Sequence, residues 1–515
     1  MVQMAFKRCQ LGRDKHEDRE VLYEYIDAMS QGDTADLQEA GLYHQPNESL
    51  CPNDANICTD TLVCRGSYQS ISDTVTCAVK IRPVESKTLV ENLVRLECNH
   101  KNICGMINAI ETSKSHYLIL QLCVTSVRDA IDASKLSAMI GDRTPLQVCG
   151  ELIEAIETLH SKKFIHGNVC PANVLLDESG TPKLCGFSSA VQLRDDGSCT
   201  MCTSRCTPGY LPPEILDSEE TQNGTAVDAF GVGCTMFAIL SGEELYQGES
   251  SKVINAKVAA GDSRLDTLVS LYTARNLIQG LVATDPLARP QVAWSRTHPL
   301  FWTKQQALQY LANVGGNLQV GIARNQDPFV AELEAAVDSF IGAYNEEDPS
   351  SGGSWAELLD SNYPIGGDWG KMQRAPEVDE RNYHIFGNPP KKKQVEARER
   401  LLADGKPLGP HQAKEIRTVG LLKFARNLNA HKAENVETGR FESEEAIADY
   451  ILSSLPWLLM TVHTLDAKYN EARMIEDADK PQSQEDKTLR MSFATNAMRS
   501  TDSAIWSSAD ESASR

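Results

Sequence analysis

The spacing of hydrophobic positions changes twice along this chain, and each change marks a boundary. Residues 1–58 are polar, with one amphipathic stretch near 21–29. From about residue 60 short β-rich runs begin, and Thr74-Val-Thr-Cys-Ala-Val-Lys-Ile81 and Tyr117-Leu-Ile-Leu-Gln-Leu-Cys123 read as strands. Helical spacing over 89–96 separates them, and after Gln147 the pattern is mainly helical, most strongly at 148–159 and 226–240. A strand-rich half followed by a helix-rich half predicts an α+β fold in two lobes. Past His298-Pro-Leu-Phe-Trp302 the spacing predicts a helix over 305–314, ending at Asn313-Val-Gly-Gly316. A loop follows at 346–354, then helices at 391–402, 417–431 and 444–464. The Ser-rich stretch after Ala467 holds too little apolar content to fold alone. The predicted boundaries are an N-terminal segment 1–58, a two-lobed region 59–301 (small lobe 59–122, large lobe 123–301), a helical region 302–465 and a disordered tail 466–515.

Composition narrows the setting. No apolar run approaches the ~20 residues of a membrane helix, and the first residues lack the apolar core of a signal peptide. The 15 cysteines all lie between Cys9 and Cys234, with the scattered spacing of buried thiols in a reducing compartment. Cys199, Cys202 and Cys206 form the one cluster with metal-like spacing, and plain loop thiols are the simpler reading. The expected location is the cytoplasm, away from membranes. A net charge of −21 argues against loose binding to polyanions. Residues 391–440 reverse that balance, with 12 Lys or Arg against 6 Asp or Glu, which reads as an RNA-facing surface or a solvated basic helix.

The motifs sharpen the two-lobed region. Val79-Lys80, Glu91, His166-Gly-Asn-Val-Cys-Pro-Ala-Asn173, Gly186-Phe-Ser188, Pro212-Pro-Glu214, Asp228 and Arg289-Pro290 stand in the order of protein-kinase motifs. The region resembles a protein kinase domain. That resemblance assigns Lys80 and Glu91 to a phosphate-holding pair, Gln121 and Cys123 to the strand end that meets an adenine, and Asn173 to a metal-ligand position. It also makes Glu214–Arg289 an ion pair and Asp228 the brace of the catalytic loop. Four features depart from it. Asn168 stands where the base should be, and an amide accepts no proton. Cys170 replaces a lysine, Gly186 replaces the metal-binding aspartate, and Cys64-Arg-Gly-Ser-Tyr68 keeps one glycine of the phosphate-covering loop. These imply loss of phosphoryl transfer, with ATP or ADP as a non-catalytic ligand or Lys80 as a purely structural lysine.

A second resemblance begins at Trp302. Asp368-Trp369, Leu421-Leu-Lys-Phe-Ala-Arg-Asn-Leu-Asn-Ala-His431 and the 444–463 stretch with Leu455-Pro-Trp-Leu-Leu are similar to the all-α ribonuclease domain of the kinase-extension nuclease (KEN) family. Asn427 and His431 are four residues apart, so one helical face carries an amide and an imidazole, with Arg426 adjacent. The resemblance implies metal-independent RNA cleavage to a cyclic phosphate, in a homodimer: His431 as general acid, Arg426 on the phosphate, Asn427 orienting groups. The family's tyrosine falls on Ala413, or on Lys414 with a one-residue deletion, and His411 is the nearest candidate base. Two functions follow, an endoribonuclease acting on RNA or a catalytically silent regulatory scaffold of the same family. Residues 1–58 are too short for a sensor domain, which implies a separate sensor protein or a truncated chain.

Overall fold

The computed structural model describes residues 42–49, 62–69, 73–83, 96–201, 206–218, 220–268, 271–321, 419–437 and 441–477. It also describes isolated positions in 37, 91, 94, 329, 331–333 and 335–336. The predicted loop at 346–354, the helix at 391–402, Asp368-Trp369, His411, Ala413, Lys414 and Cys202 lie outside these residues. Two compact units emerge: Met1–Thr267 with Leu277–Arg296, and Leu268–Asn276 with Thr297–Arg515.

In the first unit, β1 (Leu42–Ser49), β2 (Leu62–Gln69), β3 (Thr74–Pro83), β4 (Met106–Glu111) and β5 (Ser115–Gln121) form an antiparallel sheet in the order β1-β2-β3-β5-β4. Strand alternation sorts β3 into two faces. Cys77, Val79 and Ile81 pack with Leu62, Cys64, Tyr117 and Ile119, while Ala78, Lys80 and Arg82 turn the other way. The sheet starts earlier than the predicted boundary at 59. β1 belongs to the small lobe, and the polar reading of 1–58 missed it because Pro46 and the register shift between Gln45 and Ser49 break its alternation. An edge strand tolerates a proline.

The large lobe is built on two apolar helices. α1 (Pro145–Ser161) starts at a capping box, in which Thr144 accepts from Gln147 N and the Gln147 side chain accepts from Thr144 N. α2 (Gly224–Ser241) is long and apolar enough to cross a bilayer by length and composition, contrary to the sequence reading, yet 83% of it is buried inside the protein. It is a core helix, apolar on every side. Short strands β6 (Thr125–Ser126), β7 (Phe164–Ile165), β8 (Val174–Leu176) and β9 (Pro182–Leu184) carry the loops of the site.

The second unit packs α3 (Lys304–Gly321), α4 (Val419–Ala430), α5 (Lys432–Glu437), α6 (Glu444–Ser454) and α7 (Leu458–Asp477) around Leu308, Leu311, Leu422, Leu428, Ile451, Leu458 and Val462. Three expectations change. α3 passes through Gly315 and Gly316, because these glycines serve helix packing: a Cβ on Gly315 would meet Leu422 O at 2.6 Å. The helix expected over 444–464 breaks at Leu455-Pro-Trp457, since Pro456 has no N–H to donate. Its second half runs on to Asp477, into the stretch expected to be disordered. Lys468 and Tyr469 both hydrogen-bond Glu332, and Phe329 packs edge-on to Tyr469.

Candidate functional site

The cleft of the first unit is set by β3. Lys80 Nζ donates to both oxygens of Glu91 at 2.8 and 2.9 Å, and Arg82 reaches the same carboxylate at 3.0 Å. The Lys80–Glu91 pair was legible. Arg82 was not singled out, although the period of two places it on the face of Lys80. It is 2% exposed, so one buried acid faces two cations. At the end of β5, Gln121 N donates to Gly105 O, and the Cys104 thiol donates to Gln121 O at 3.7 Å. A hydrogen bond with Cys104, and then burial, pushes the Cys123 thiol up, so it stays protonated. Ala78, Cys104, Leu118 and Leu120 form a buried apolar cluster here, with Val63, Met106, Leu122 and Cys185 packed against it. The loop expected at 64–68 is instead part of β2, and the β1–β2 connection is 50–61, whose sequence contains no glycine.

The loop between β7 and β8 carries the positions where kinase chemistry would take place. The His166 ring donates from Nε2 to Cys185 O at 2.7 Å, and its Nδ1 accepts from Asn168 N at 3.2 Å. Asn168 Oδ1 accepts from Thr207 N at 2.9 Å, and Cys170 Sγ lies 3.4 Å from Thr207 Oγ1. Burial pushes the Cys170 thiol up, so it carries no charge in place of the lysine. Asn173 Nδ2 donates to Asn168 O at 2.8 Å. Gly186 has φ +79°, and a Cβ built on it would fall within 3.0 Å of the Asn173 amide. Kinase chemistry uses Mg²⁺, which needs carboxylate oxygens. These residues offer two amides, Asn168 and Asn173, and no acid, and they do not fit that ion. Among the described residues no group of three His, Cys, Asp or Glu could hold a metal. Cys199 lies in an apolar cluster, and Cys206 donates to Gly167 O at 3.4 Å.

The supporting frame is fully formed. Asp228, on α2, accepts from His166 N and Gly167 N at 2.8 Å each and pairs with His160 at 2.9 Å. Burial alone would push its carboxyl up, but the His160 hydrogen bond and charge, with those backbone donors, hold it low. Arg289 forks onto Glu214 at 2.6 and 2.8 Å, donates to Ala226 O and Ala283 O, and stacks over Phe230. The planar guanidinium makes this two-pronged hold possible.

In the second unit, Arg426 and Asn427 lie near the C-terminal end of α4, which closes at Ala430, and His431 follows in the turn to α5, where its N–H donates to Asn427 O at 3.0 Å. The three predicted residues therefore lie together, but unequally exposed. Asn427 is 5% exposed, while Arg426 and His431 are half-buried. Arg426 lines a cleft between α3 and α4 with Gln309, Asn313 and Asn429. None of these three was given a role from the sequence, where Asn313 marked a helix end and Asn429 fell inside the stretch similar to the KEN family.

Residues 72–301 match the protein kinase domain, and a kinase domain implies nucleotide binding. The chain is similar to the serine/threonine-protein kinase/endoribonuclease IRE1 of Hypocrea jecorina, 24% identical over 318 residues, covering 53% of this chain and 26% of that protein. It is also similar to the serine/threonine-protein kinase/endoribonuclease IRE2 of Homo sapiens, 27% identical over 294 residues, covering 53% and 30%. The serine/threonine-protein kinase STK11 of Gallus gallus is 25% identical over 220 residues, covering 42% and 49%. The chain spans between about a quarter and a half of the length of these relatives.

Proposed function

We propose that this protein is a metal-independent endoribonuclease of KEN type whose kinase domain no longer transfers phosphate. The observation that carries the reading is the convergence of Arg426, Asn427 and His431 at the end of α4, beside an open polar cleft. His431 protonates the leaving 5′-oxygen, Arg426 offsets charge on the pentacoordinate phosphate, and the buried Asn427 orients the turn that carries His431. The 2′-oxygen is the nucleophile: its proton passes to a base, for which His411 is the candidate, as the P–O2′ bond forms and the P–O5′ bond breaks, so the products end in a cyclic phosphate and a 5′-hydroxyl.

The names of the two kinase/endoribonuclease relatives support this reading, and the site at Asn168 and Gly186 supports the loss of kinase chemistry. In this reading the kinase domain is a dimerisation module that holds ATP or ADP without using it, and a separate sensor protein or a longer chain supplies the signal. The competing reading, a silent scaffold, draws on the absent tyrosine equivalent at Ala413 or Lys414. One assay separates them. Purified protein is incubated with end-labelled stem-loop RNA in EDTA, beside His431→Ala. The expected result is cleavage to cyclic-phosphate ends by wild type alone. No cleavage at concentrations that force dimers favours the scaffold.

A further inference from the structure

The cleft beside Arg426 has a polar lining of its own. Gln309, Ala312, Asn313 and Gly316 on α3 face Arg426, Asn429 and Ala430 on α4 across about 490 Å³. Its polar side chains are three carboxamides and one guanidinium, with no acid, in a chain of net charge −21. The amides are linked. Asn429 Nδ2 donates to Gln309 Oε1 at 3.0 Å, and Gln309 Nε2 donates to Asn313 Oδ1 at 2.8 Å. The row therefore ends in an acceptor, Asn429 Oδ1, and a donor, Asn313 Nδ2. Gly316 keeps the floor open, since even a Cβ there would stand 3.9 Å from Arg426 Cδ.

Each group matches one part of a nucleotide. A guanidinium fork suits a phosphate, and a carboxamide, whose oxygen accepts beside its own N–H donors, suits the edge of a base. A base offers that edge to amides in a shallow cleft only when it is unpaired. The volume is that of a small-molecule site, enough for about one nucleotide.

We propose that this cleft is the base-reading subsite of the protein, taking one unpaired nucleotide of single-stranded RNA. Arg426 binds its phosphate, and Gln309, Asn313 and Asn429 read its base. The placement of the scissile bond next to this nucleotide rests on the nuclease reading; the binding does not. Gln309, Asn313 and Asn429 are specificity residues, and none of them takes part in proton transfer.

The test measures binding of full-length protein to fluorescent 2′-O-methyl single-stranded oligonucleotides in EDTA, across A, U and C sequences and a duplex control. Gln309→Ala and Asn313→Ala are expected to weaken binding five-fold or more and to flatten the preference among bases. Arg426→Ala weakens all sequences alike and lowers the salt dependence. Asn313→Asp preserves size and weakens binding further by repelling phosphate, which covers the case of an alanine variant that fails to fold. Unchanged affinity and base preference in the folded Gln309 and Asn313 variants overturns the proposal, as does equal wild-type affinity for duplex or no wild-type binding. If the oligonucleotides bind as expected but unmodified RNA stays intact, the nuclease reading fails and the cleft stands. If RNA is cut but the amide variants keep wild-type binding, the cleft proposal fails alone.

Discussion

Asn173 occupies the space that a side chain at Gly186 would need, with its amide inside 3.0 Å of any Cβ built there. Gly186 is also left-handed, at φ +79°. Gly186→Asp therefore returns a carboxylate to a place with no room for it. The variant is expected to lose on the order of 1–3 kcal/mol in urea unfolding. It should transfer no radiolabelled phosphate from ATP with Mg²⁺; transfer by this variant would show that the site does have room for the carboxylate, and transfer by the wild type would refute the loss of kinase chemistry.

Glu91 holds two cations. Glu91→Ala removes the buried carboxylate that both Lys80 and Arg82 bind, so the loss should reach about 3–5 kcal/mol, the range for breaking a buried ion pair. Lys80→Met removes one cation and its need for the acid, so it should cost less. Urea unfolding of the two variants gives the comparison directly.

Arg289 shows why charge alone is not enough. A lysine cannot reproduce two parallel bonds to Glu214 together with the bonds to Ala226 O and Ala283 O. Arg289→Lys is expected to destabilise nearly as much as Arg289→Ala, about 3 kcal/mol. Recovery of wild-type stability by lysine would show that the fork geometry is unimportant.

The second unit should be sensitive to mild acid. Burial, then the neighbouring His463, pushes His298 down to about 3. Burial pushes His463 down to about 4, against an upward pull from Asp466. Both values lie below the ordinary 6.5, so between them the unfolded chain binds more protons than the folded one. The stability these rings allow is complete above about pH 6.5 and is lost as pH falls from there towards 4–3. Urea midpoints followed by the fluorescence of Trp302, which packs on His463, should fall between pH 7 and 4.5. His463→Gln should flatten that slope.

Neighbouring glycines on α3 should respond with opposite sign. Gly315→Ala drives a methyl to 2.6 Å from Leu422 O and should cost about 1–3 kcal/mol as α4 shifts. Gly316→Ala meets only an ordinary contact at 3.9 Å, so its helix propensity should dominate, a gain of up to about 1 kcal/mol. Thermal melts of the two proteins test the contrast.

What could be read from the sequence followed the strength of local periodicity. β3, β5, α1 and α2 were visible because burial imposes periods of 2 and 3.6, and Lys80, Glu91, Asp228 and Arg289 were visible through their order. β1 was hidden by Pro46 at a sheet edge. The end of α7 was hidden because its partner, Glu332, is 136 residues away from Lys468. Gly315 and Gly316 read as a helix end, when the backbone of Leu422, far along the chain, explains the first of them. The helix bearing Arg426 was legible, but the amides facing it were not, since a pair of helices makes that cleft and neither helix alone contains it.

The amide at Asn168 has one more effect. It fastens Thr207 to the catalytic loop, and Cys170 adds a thiol–hydroxyl contact, all between uncharged groups. Dissolved ions screen charges and leave neutral hydrogen bonds nearly untouched. This attachment should therefore be blind to salt, unlike the phosphate contact proposed for Arg426, which would weaken steeply with it. Raising ionic strength would thus leave the Asn168–Thr207 attachment in place while it weakens any contact made through charge.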